Sequence, residues 1–215
     1  VVVTELSCRM TFVGNYVDNC HVEWANEHDQ APEFASELSF SAMNITDNVF
    51  LASHVAPWFT FVTVRPHGAG HFINGLSLTG NLFRTVAGTI DRVESIDTSF
   101  AGMDMSRMKN ITFADNAYNL VTTGVSNPLV LEHSENTPAL VWSIDCAPKL
   151  PFGGWAQTVE AVIPKNAITT GANVKQFHMP YVTTEQGANR DQIDLRWQNE
   201  VKGTVIMRVR MDNPI

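Results

Sequence analysis

The sequence predicts an all-β protein in two parts, a β-solenoid over residues 1–124 and an antiparallel β-sandwich module over residues 125–215. Three observations predict this fold. A period of about 33 residues runs through the first half, alternating apolar and polar residues fill each period, and the period stops after residues 126–128. Because no long amphipathic helical stretch accompanies the period, repeats built from pairs of helices are excluded.

The period is clearest at four asparagines. Asn15, Asn48, Asn81 and Asn116 are separated by 33, 33 and 35 residues, and a Gly or an Asp precedes each of them. Equivalent residues of successive solenoid coils stack at a spacing of about 4.8 Å. We therefore expect the four side chains to form an amide ladder at a corner of the coil, where Gly and Asp tolerate left-handed backbone angles.

Apolar residues stand in two further columns of the same register. In each coil, the residue between the two columns is more polar. Such alternation with a period of two is typical of a strand with one buried face. The alternation predicts one such strand per coil, and its inward columns are Met10, Met43, Leu76 and Ile111, then Phe12, Ile45, Leu78 and Phe113.

The second half contains strand-like runs without a common period. In the last run we expect Val205, Met207 and Val209 on one face and Arg208 and Arg210 pointing outward. Short strands at this spacing, with turn-rich segments between them, are typical of an antiparallel sandwich or a jelly roll. The six runs are Leu129–Glu132, Ala139–Asp145, Gln157–Ile163, Val174–Val182, Ile193–Trp197 and Gly203–Met211.

Two segments carry a resemblance to a known family, Gly75–Phe83 and Met108–Asn116. Over about residues 5–124 the pattern resembles the right-handed parallel β-helix of the pectate-lyase-like superfamily, and more narrowly the spike proteins of tailed phages. The resemblance implies a right-handed coil on the surface of a virion. It also implies a homotrimer assembled through the C-terminal module, and attachment to a bacterial capsular or O-antigen polysaccharide, with or without its cleavage.

Carboxylates and aromatic rings are the side chains that glycan chemistry needs. Cleavage requires two carboxyl groups across a glycosidic bond, and aromatic rings stack on sugar faces. Stacking of the coils brings acidic residues two coils apart toward one angular position, although a solvated acidic loop is the simpler alternative. The candidate catalytic residues are Glu23, Asp91 and Glu94, and the candidate glycan-binding residues are Trp24, Trp58 and His28.

Composition excludes several other classes of function. The net charge is −8, and no basic stripe could neutralise several phosphates, so nucleic acid is not an expected partner. No apolar run reaches the roughly 18 residues of a membrane span, and the start of the sequence lacks the pattern of a signal peptide. That start, three apolar β-branched residues without Met, indicates a piece of a longer protein.

No cofactor or metal site is expected from the motifs. His67 and His71 have a spacing that a metal could use, but no Cys or carboxylate stands close to them. Cys8, Cys20 and Cys146 are too scattered for a disulfide framework, and we interpret them as free, mostly buried thiols. Two alternatives remain beside the phage spike: a jelly-roll capsid protein without enzymatic activity, and a cellular polysaccharide lyase.

Overall fold

The computed structural model describes residues 1–4, 7–27 and 39–214, without the side chains of residues 7 and 8. Within it the chain forms two compact units. The first contains residues 1–126 and the last residues of the chain, and the second contains residues 127–212. His28, one of the candidate glycan-binding residues, lies outside the described residues.

The first unit is built from short strands, and each full coil contains three of them. In chain order they are β1 (Val2–Val3), β2 (Ser7–Val13), β3 (Tyr16–Asp18), β4 (Val22–Ala25), β5 (Phe40–Thr46), β6 (Val49–His54), β7 (Val62–Arg65), β8 (Ile73–Thr79), β9 (Leu82–Ala87), β10 (Glu94–Ile96), β11 (Lys109–Ala114) and β12 (Ala117–Asn119).

These strands form three parallel sheets. Sheet A has the order β1-β4-β7-β10, sheet B has β2-β5-β8-β11, and sheet C has β3-β6-β9-β12. Every third strand pairs in parallel, so the chain winds as a β-solenoid of about three turns, which confirms the architecture expected from the repeat. A jelly roll is antiparallel, and it is therefore excluded for this unit.

The two apolar columns of the repeat lie in register in sheet B. Met43 pairs with Leu76, and Leu76 pairs with Ile111; all three side chains are buried. Aromatic rings fill the space toward sheet C, where Phe50 stacks on Phe83 with 5.0 Å between ring centroids. The core of the unit is thus a set of like side chains repeated along the solenoid axis.

The asparagine ladder runs along the corner between sheets B and C. In each step one Asn donates both its backbone N–H and its side-chain Nδ2–H to Oδ1 of the next Asn. The two distances are 2.9 and 3.0 Å from Asn15 to Asn48, 3.0 and 3.0 Å from Asn48 to Asn81, and 3.0 and 3.0 Å from Asn81 to Asn116. The side-chain oxygen of one Asn therefore accepts a hydrogen bond from the backbone N–H of the Asn in the neighbouring coil. That N–H lies at the bend, where it has no partner in the adjoining strands.

The residue before each ladder Asn has a left-handed backbone. Gly14 and Gly80 both have φ +67°, and Asp47 and Asp115 have φ +54° and +57°. Gly80 meets a second constraint, because a Cβ there would lie 2.3 Å from Oδ1 of Asp47 in the neighbouring coil, whereas a Cβ on Gly14 would meet nothing within 4 Å.

This difference gives a matched pair of variants. We expect Gly14→Ala to cost about 1 kcal/mol through its left-handed backbone alone. Gly80→Ala should cost about 0.5–1 kcal/mol more, because the exposed Asp47 carboxylate has to rotate away from the corner. Urea unfolding of both variants measures the difference, and equal midpoints would show that the corner absorbs the extra methyl group without loss.

The second unit is one antiparallel sheet, sheet D. Its strands are β13 (Leu129–Asp145), β14 (Thr158–Pro164), β15 (Tyr181–Gln186) and β16 (Gln192–Arg210). β16 lies in the centre, with β13 along its whole length on one side and with β14 and β15 at its two ends on the other. All strands described between 127 and 212 belong to this single hydrogen-bonded sheet.

The strands of sheet D differ in length from the runs expected from the sequence. Two pairs of runs merge into β13 and β16, because the pairing of the two strands continues on both sides of the register shifts between Glu135 and Ala139 and between Ala139 and Val141. The expected run Val174–Val182 begins as a strand only at Tyr181. Long-range pairing, which is not visible in local alternation, decides these boundaries.

The final strand confirms one expected face and corrects the other. Val205, Met207 and Val209 are fully buried, and Arg208 is exposed. Arg210 is buried rather than outward, because its guanidinium forms an ion pair with the buried Asp212 at 2.9 Å.

Among the residues that the structure describes, no helix has the length and apolar character of a membrane span.

Candidate functional site

Trp58 is the most prominent exposed side chain on one flank of the solenoid. It lies in the turn between β6 and β7, and 71% of its surface is exposed. Three adjoining depressions share Trp58 as a wall. An indole of this size is costly to leave in water, so an exposed one beside concave surfaces is a common mark of a binding site.

The three depressions are named here by one residue each. The Asp91 depression has a volume of about 380 Å³, the His54 depression about 430 Å³ and the Arg65 depression about 540 Å³. These volumes fall in the range of small-molecule sites, about 300–1,000 Å³. Because all three meet at Trp58, an extended ligand could occupy more than one of them at once.

The Trp58 ring is held in place by neighbouring rings. His21 contacts it edge to face with 6.0 Å between centroids, and Phe59 lies 6.2 Å away. His21 also packs against Phe59 at 6.3 Å. This small cluster limits the rotation of the indole, so that its exposed face is presented in a defined direction.

The Arg65 depression contains an ion-pair chain across successive coils. Arg65 Nη1 lies 3.0 Å from Glu23 Oε1, and Arg65 Nε lies 2.8 Å from Asp97 Oδ2. Hydrogen bonds from the Ser99 hydroxyl and N–H hold the pKa of Asp97 below its usual value against the opposing effect of burial, and Arg65 lowers it further. These charged groups are fixed in position and partly open to solvent, so they can bond polar groups of a ligand.

Hydroxyl groups connect the Arg65 and Asp91 depressions. Thr60 Oγ1 lies 3.0 Å from Thr63 Oγ1 and 2.7 Å from Ser95 Oγ, and Ser95 donates to Thr63 at 3.3 Å. Ser95 lines both depressions, Thr60 lines the Asp91 depression and Thr63 the Arg65 depression. Hydroxyl clusters both donate and accept, which suits the hydroxyls of a sugar.

The Asp91 depression contains one buried and one exposed carboxylate. Glu94 is 1% exposed, and its Oε1 accepts from Arg92 Nη2 at 2.6 Å and from Arg92 Nε at 2.9 Å. Asp91 is exposed, and its Oδ1 accepts from the Thr123 hydroxyl at 2.9 Å. Glu94 is therefore committed to an internal ion pair, whereas Asp91 faces the solvent of the depression.

The structure does not place the three candidate catalytic carboxylates on one surface. In sheet A, Glu94 pairs with Val62, which pairs with Val22, and all three side chains are buried. Glu23 pairs with Thr63 in the neighbouring column, whose side chains face outward. Because successive strand residues point to opposite faces, Glu94 and Glu23 cannot flank one glycosidic bond.

The two described candidates for glycan binding, Trp58 and Trp24, differ in exposure to solvent. Trp58 is exposed, but Trp24 is fully buried and packs edge to face on Phe40 at 5.2 Å. Trp24 lies on the inward face of β4, paired with the buried Val64, so the structure does not place it on the surface around Trp58. It is a core residue of the solenoid.

Sequence reasoning missed Arg65, Asp97 and the hydroxyl cluster. A signal was available, because Arg65 and Asp97 stand 32 residues apart, close to the period of the repeat, and carry opposite charges. Like the ladder asparagines, residues one period apart become neighbours across adjacent coils. Applying the period to charged residues as well as to Asn would have found this pair.

The two histidines weighed as metal ligands are engaged in other contacts. The His67 ring stacks on Phe100 at 4.2 Å, and His71 is buried, with Asn26 Nδ2 2.8 Å from Nε2 and Ser39 Oγ 3.0 Å from Nδ1. No group of three or more His, Cys, Asp or Glu that could hold a metal ion is present in the described part of the chain.

The free cysteines differ in exposure. Cys20 is exposed beside the His54 depression, which corrects the expectation of a mostly buried thiol for this residue. Cys146 in the second unit is buried, and this burial, followed by the nearby Asp145 and Asp191 carboxylates, raises the pKa of its thiol to about 12. Only Cys20 of these two is open to reagents in solution.

Comparisons with models of protein families, with curated proteins and with solved structures find no match to this chain. The geometry around Trp58 is therefore the main indication of what the chain binds.

Proposed function

We propose that the solenoid binds a polysaccharide across the surface around Trp58. The observation that carries this proposal is the exposed indole shared by three adjoining depressions. A sugar ring has an apolar face and a polar edge. It would stack on Trp58 while its hydroxyls bond the Thr60–Thr63–Ser95 cluster and the charged groups around Arg65.

The proposal is one of binding without assigned cleavage. Glu94 is turned into the solenoid and held by Arg92, and Glu23 is held by Arg65. Neither is placed as an acid opposite a nucleophile, which glycoside hydrolysis requires. Binding needs only the stacking platform and the hydrogen-bonding groups beside it.

The wider proposal is that the chain belongs to a phage or phage-like spike. In this proposal it sits on the surface of the virion and attaches to a bacterial capsular or O-antigen polysaccharide. The parallel solenoid supports it, because a rigid coil holds a binding surface at a fixed distance from its base. A homotrimer would present three copies of that surface, and multivalency would raise avidity without new contacts.

Two finer features of the fold belong to the same proposal. The coil is right-handed, since parallel strands of one sheet are joined by right-handed crossovers in nearly all proteins. Sheet D closes into a sandwich by bending at the register shifts near Glu135 and Ala139, because bulges bend strands.

Trp58→Ala tests the binding surface. We expect the variant to bind the capsular polysaccharide of a host strain at least about tenfold more weakly, because about 1.4 kcal/mol of stacking is lost. Isothermal titration of the purified protein measures the affinity, and product analysis of the same mixtures detects cleavage.

Tyr16→Ala is the matched control. Tyr16 is an exposed aromatic residue of the same unit, 64% exposed, and it lies on sheet C away from the depressions. Its variant should bind as the unchanged protein does. Equal affinities of the Trp58 and Tyr16 variants would contradict the proposed surface.

A further inference from the structure

Among the described residues, no cationic side chain forms an ion pair with Asp91, which lies beside Trp58. Its Oδ1 accepts a hydrogen bond from Thr123, and among the described residues no hydrogen bond or ion pair engages Oδ2. Asp91 and Trp58 line the same depression of about 380 Å³. A free carboxylate and an exposed indole face thus border one cavity.

Two of the three depressions, the Asp91 depression and the Arg65 depression, carry a net negative charge, the same sign as Asp91. Among the described residues that line the Asp91 depression, the one cation is Arg92, and it is bonded to Glu94. In the Arg65 depression, a single guanidinium serves two carboxylates, Glu23 and Asp97. The Asp91 depression and the Arg65 depression therefore each contain one more carboxylate than guanidinium. A polyanionic glycan would be repelled in both of them.

From this geometry we infer that the Asp91 depression takes the ammonium group of an amino sugar. A cation there gains attraction from the free carboxylate of Asp91 and from the π face of Trp58, two interactions that a neutral acetamido group lacks. The inference rests on the proposed function and adds a ligand class to it: a glycan with unacetylated amino groups.

The test compares four oligosaccharides of equal length at low ionic strength. They are glucosamine, N-acetylglucosamine, glucose and galacturonic acid oligomers, titrated into the intact chain. We expect the glucosamine oligomer to bind at least about tenfold more tightly than the other three, and added salt to weaken this preference, since screening acts on the charged contact.

Asp91→Asn should abolish the preference for the glucosamine oligomer. Asp115→Asn is the control, because Asp115 is an exposed carboxylate at a corner of the same solenoid and lies outside the three depressions. Its variant should keep the preference. Asn tolerates the left-handed backbone that Asp115 adopts, so Asp115→Asn should preserve the fold.

The other outcomes separate the inference from the proposed function. Equal or tighter binding of a neutral or acidic oligomer overturns the amino-sugar inference and leaves glycan binding standing. A preference that persists in Asp91→Asn overturns the assignment to Asp91. Absence of binding to all four oligomers overturns the inference and counts against the proposed function as well.

Discussion

Asn81→Ala is expected to lower the free energy of unfolding of the solenoid by about 3 kcal/mol. Asn81 is 1% exposed, and its Oδ1 accepts from both the backbone N–H and the side chain of Asn48. Its own amide donates to Ile45 O at 2.9 Å and to Asn116 Oδ1 at 3.0 Å. The alanine leaves the backbone N–H of Asn48 and one of its two side-chain N–H groups without Oδ1 as acceptor, while the other side-chain N–H still donates to Phe12 O. Each buried group left unpaired costs about 1–3 kcal/mol.

Asn15→Ala is the matched control for this loss. Asn15 stands at the first step of the ladder, and no described side chain or N–H donates to its Oδ1. Its removal leaves Asn48 Oδ1 with the backbone N–H of residue 15 as a donor. We expect a loss of about 1 kcal/mol or less.

Hydrogen exchange of peptides that cover β5 and β6 measures both variants within the first unit. Asn189→Ala, an exposed change in the second unit, provides a baseline. Equal losses from Asn81→Ala and Asn15→Ala would mean that the ladder amides do not act as buried partners. That result would contradict the energetic role given to the stacked corner.

The sequence predicted the solenoid because its stabilising contacts are between like residues one period apart. A ladder Asn needs another Asn above it, and an inward Leu or Ile needs an apolar neighbour, so the contacts are written into the repeat itself. The same period predicts which strands pair and in which register. Few folds show their long-range contacts in the sequence so directly.

The site was harder to predict because sheet A does not keep the period. Val22 and Val62 are paired although 40 residues separate them, whereas Val62 and Glu94 are 32 residues apart. The insertion between β4 and β5 shifts the count, and an error of one residue reverses which face a side chain occupies. That reversal explains why Glu94, expected outside, lies inside. Trp24 lies inside for another reason, because the segment expected to be a polar loop begins as strand β4.

For sheet D the sequence predicted antiparallel strands and one buried face, but not the lengths of the strands. Its local alternation gave the inward Val205, Met207 and Val209, but whether two runs merge depends on a partner strand far along the chain. Arg210 shows the same limit. An arginine that alternates outward by pattern is buried here because Asp212 supplies a partner that the period-2 rule does not consider.

Asp212→Ala is expected to destabilise the second unit by about 3–5 kcal/mol. Asp212 is fully buried, and its carboxylate accepts from Arg210 Nε at 2.9 Å, Arg210 Nη2 at 3.1 Å and Asn127 Nδ2 at 2.8 Å. The alanine leaves the guanidinium in the interior, where the carboxylate of Glu160 is more distant, with Oε1 3.5 Å from Nη1. A buried charge that has lost its main counter-ion carries a desolvation cost that this partner no longer offsets.

Two controls separate this cost from the general effect of losing an ion pair. Arg208→Ala breaks the pair with Glu160, but Arg208 is half exposed, and such pairs contribute about 1 kcal/mol or less. The double variant Arg210→Met with Asp212→Leu removes both buried charges, and it should recover at least half of the stability lost in Asp212→Ala. Urea unfolding with hydrogen exchange of β16 peptides follows all three variants. A double variant as unstable as Asp212→Ala would show that the pair stabilises the sheet by its own attraction rather than by preventing an isolated charge.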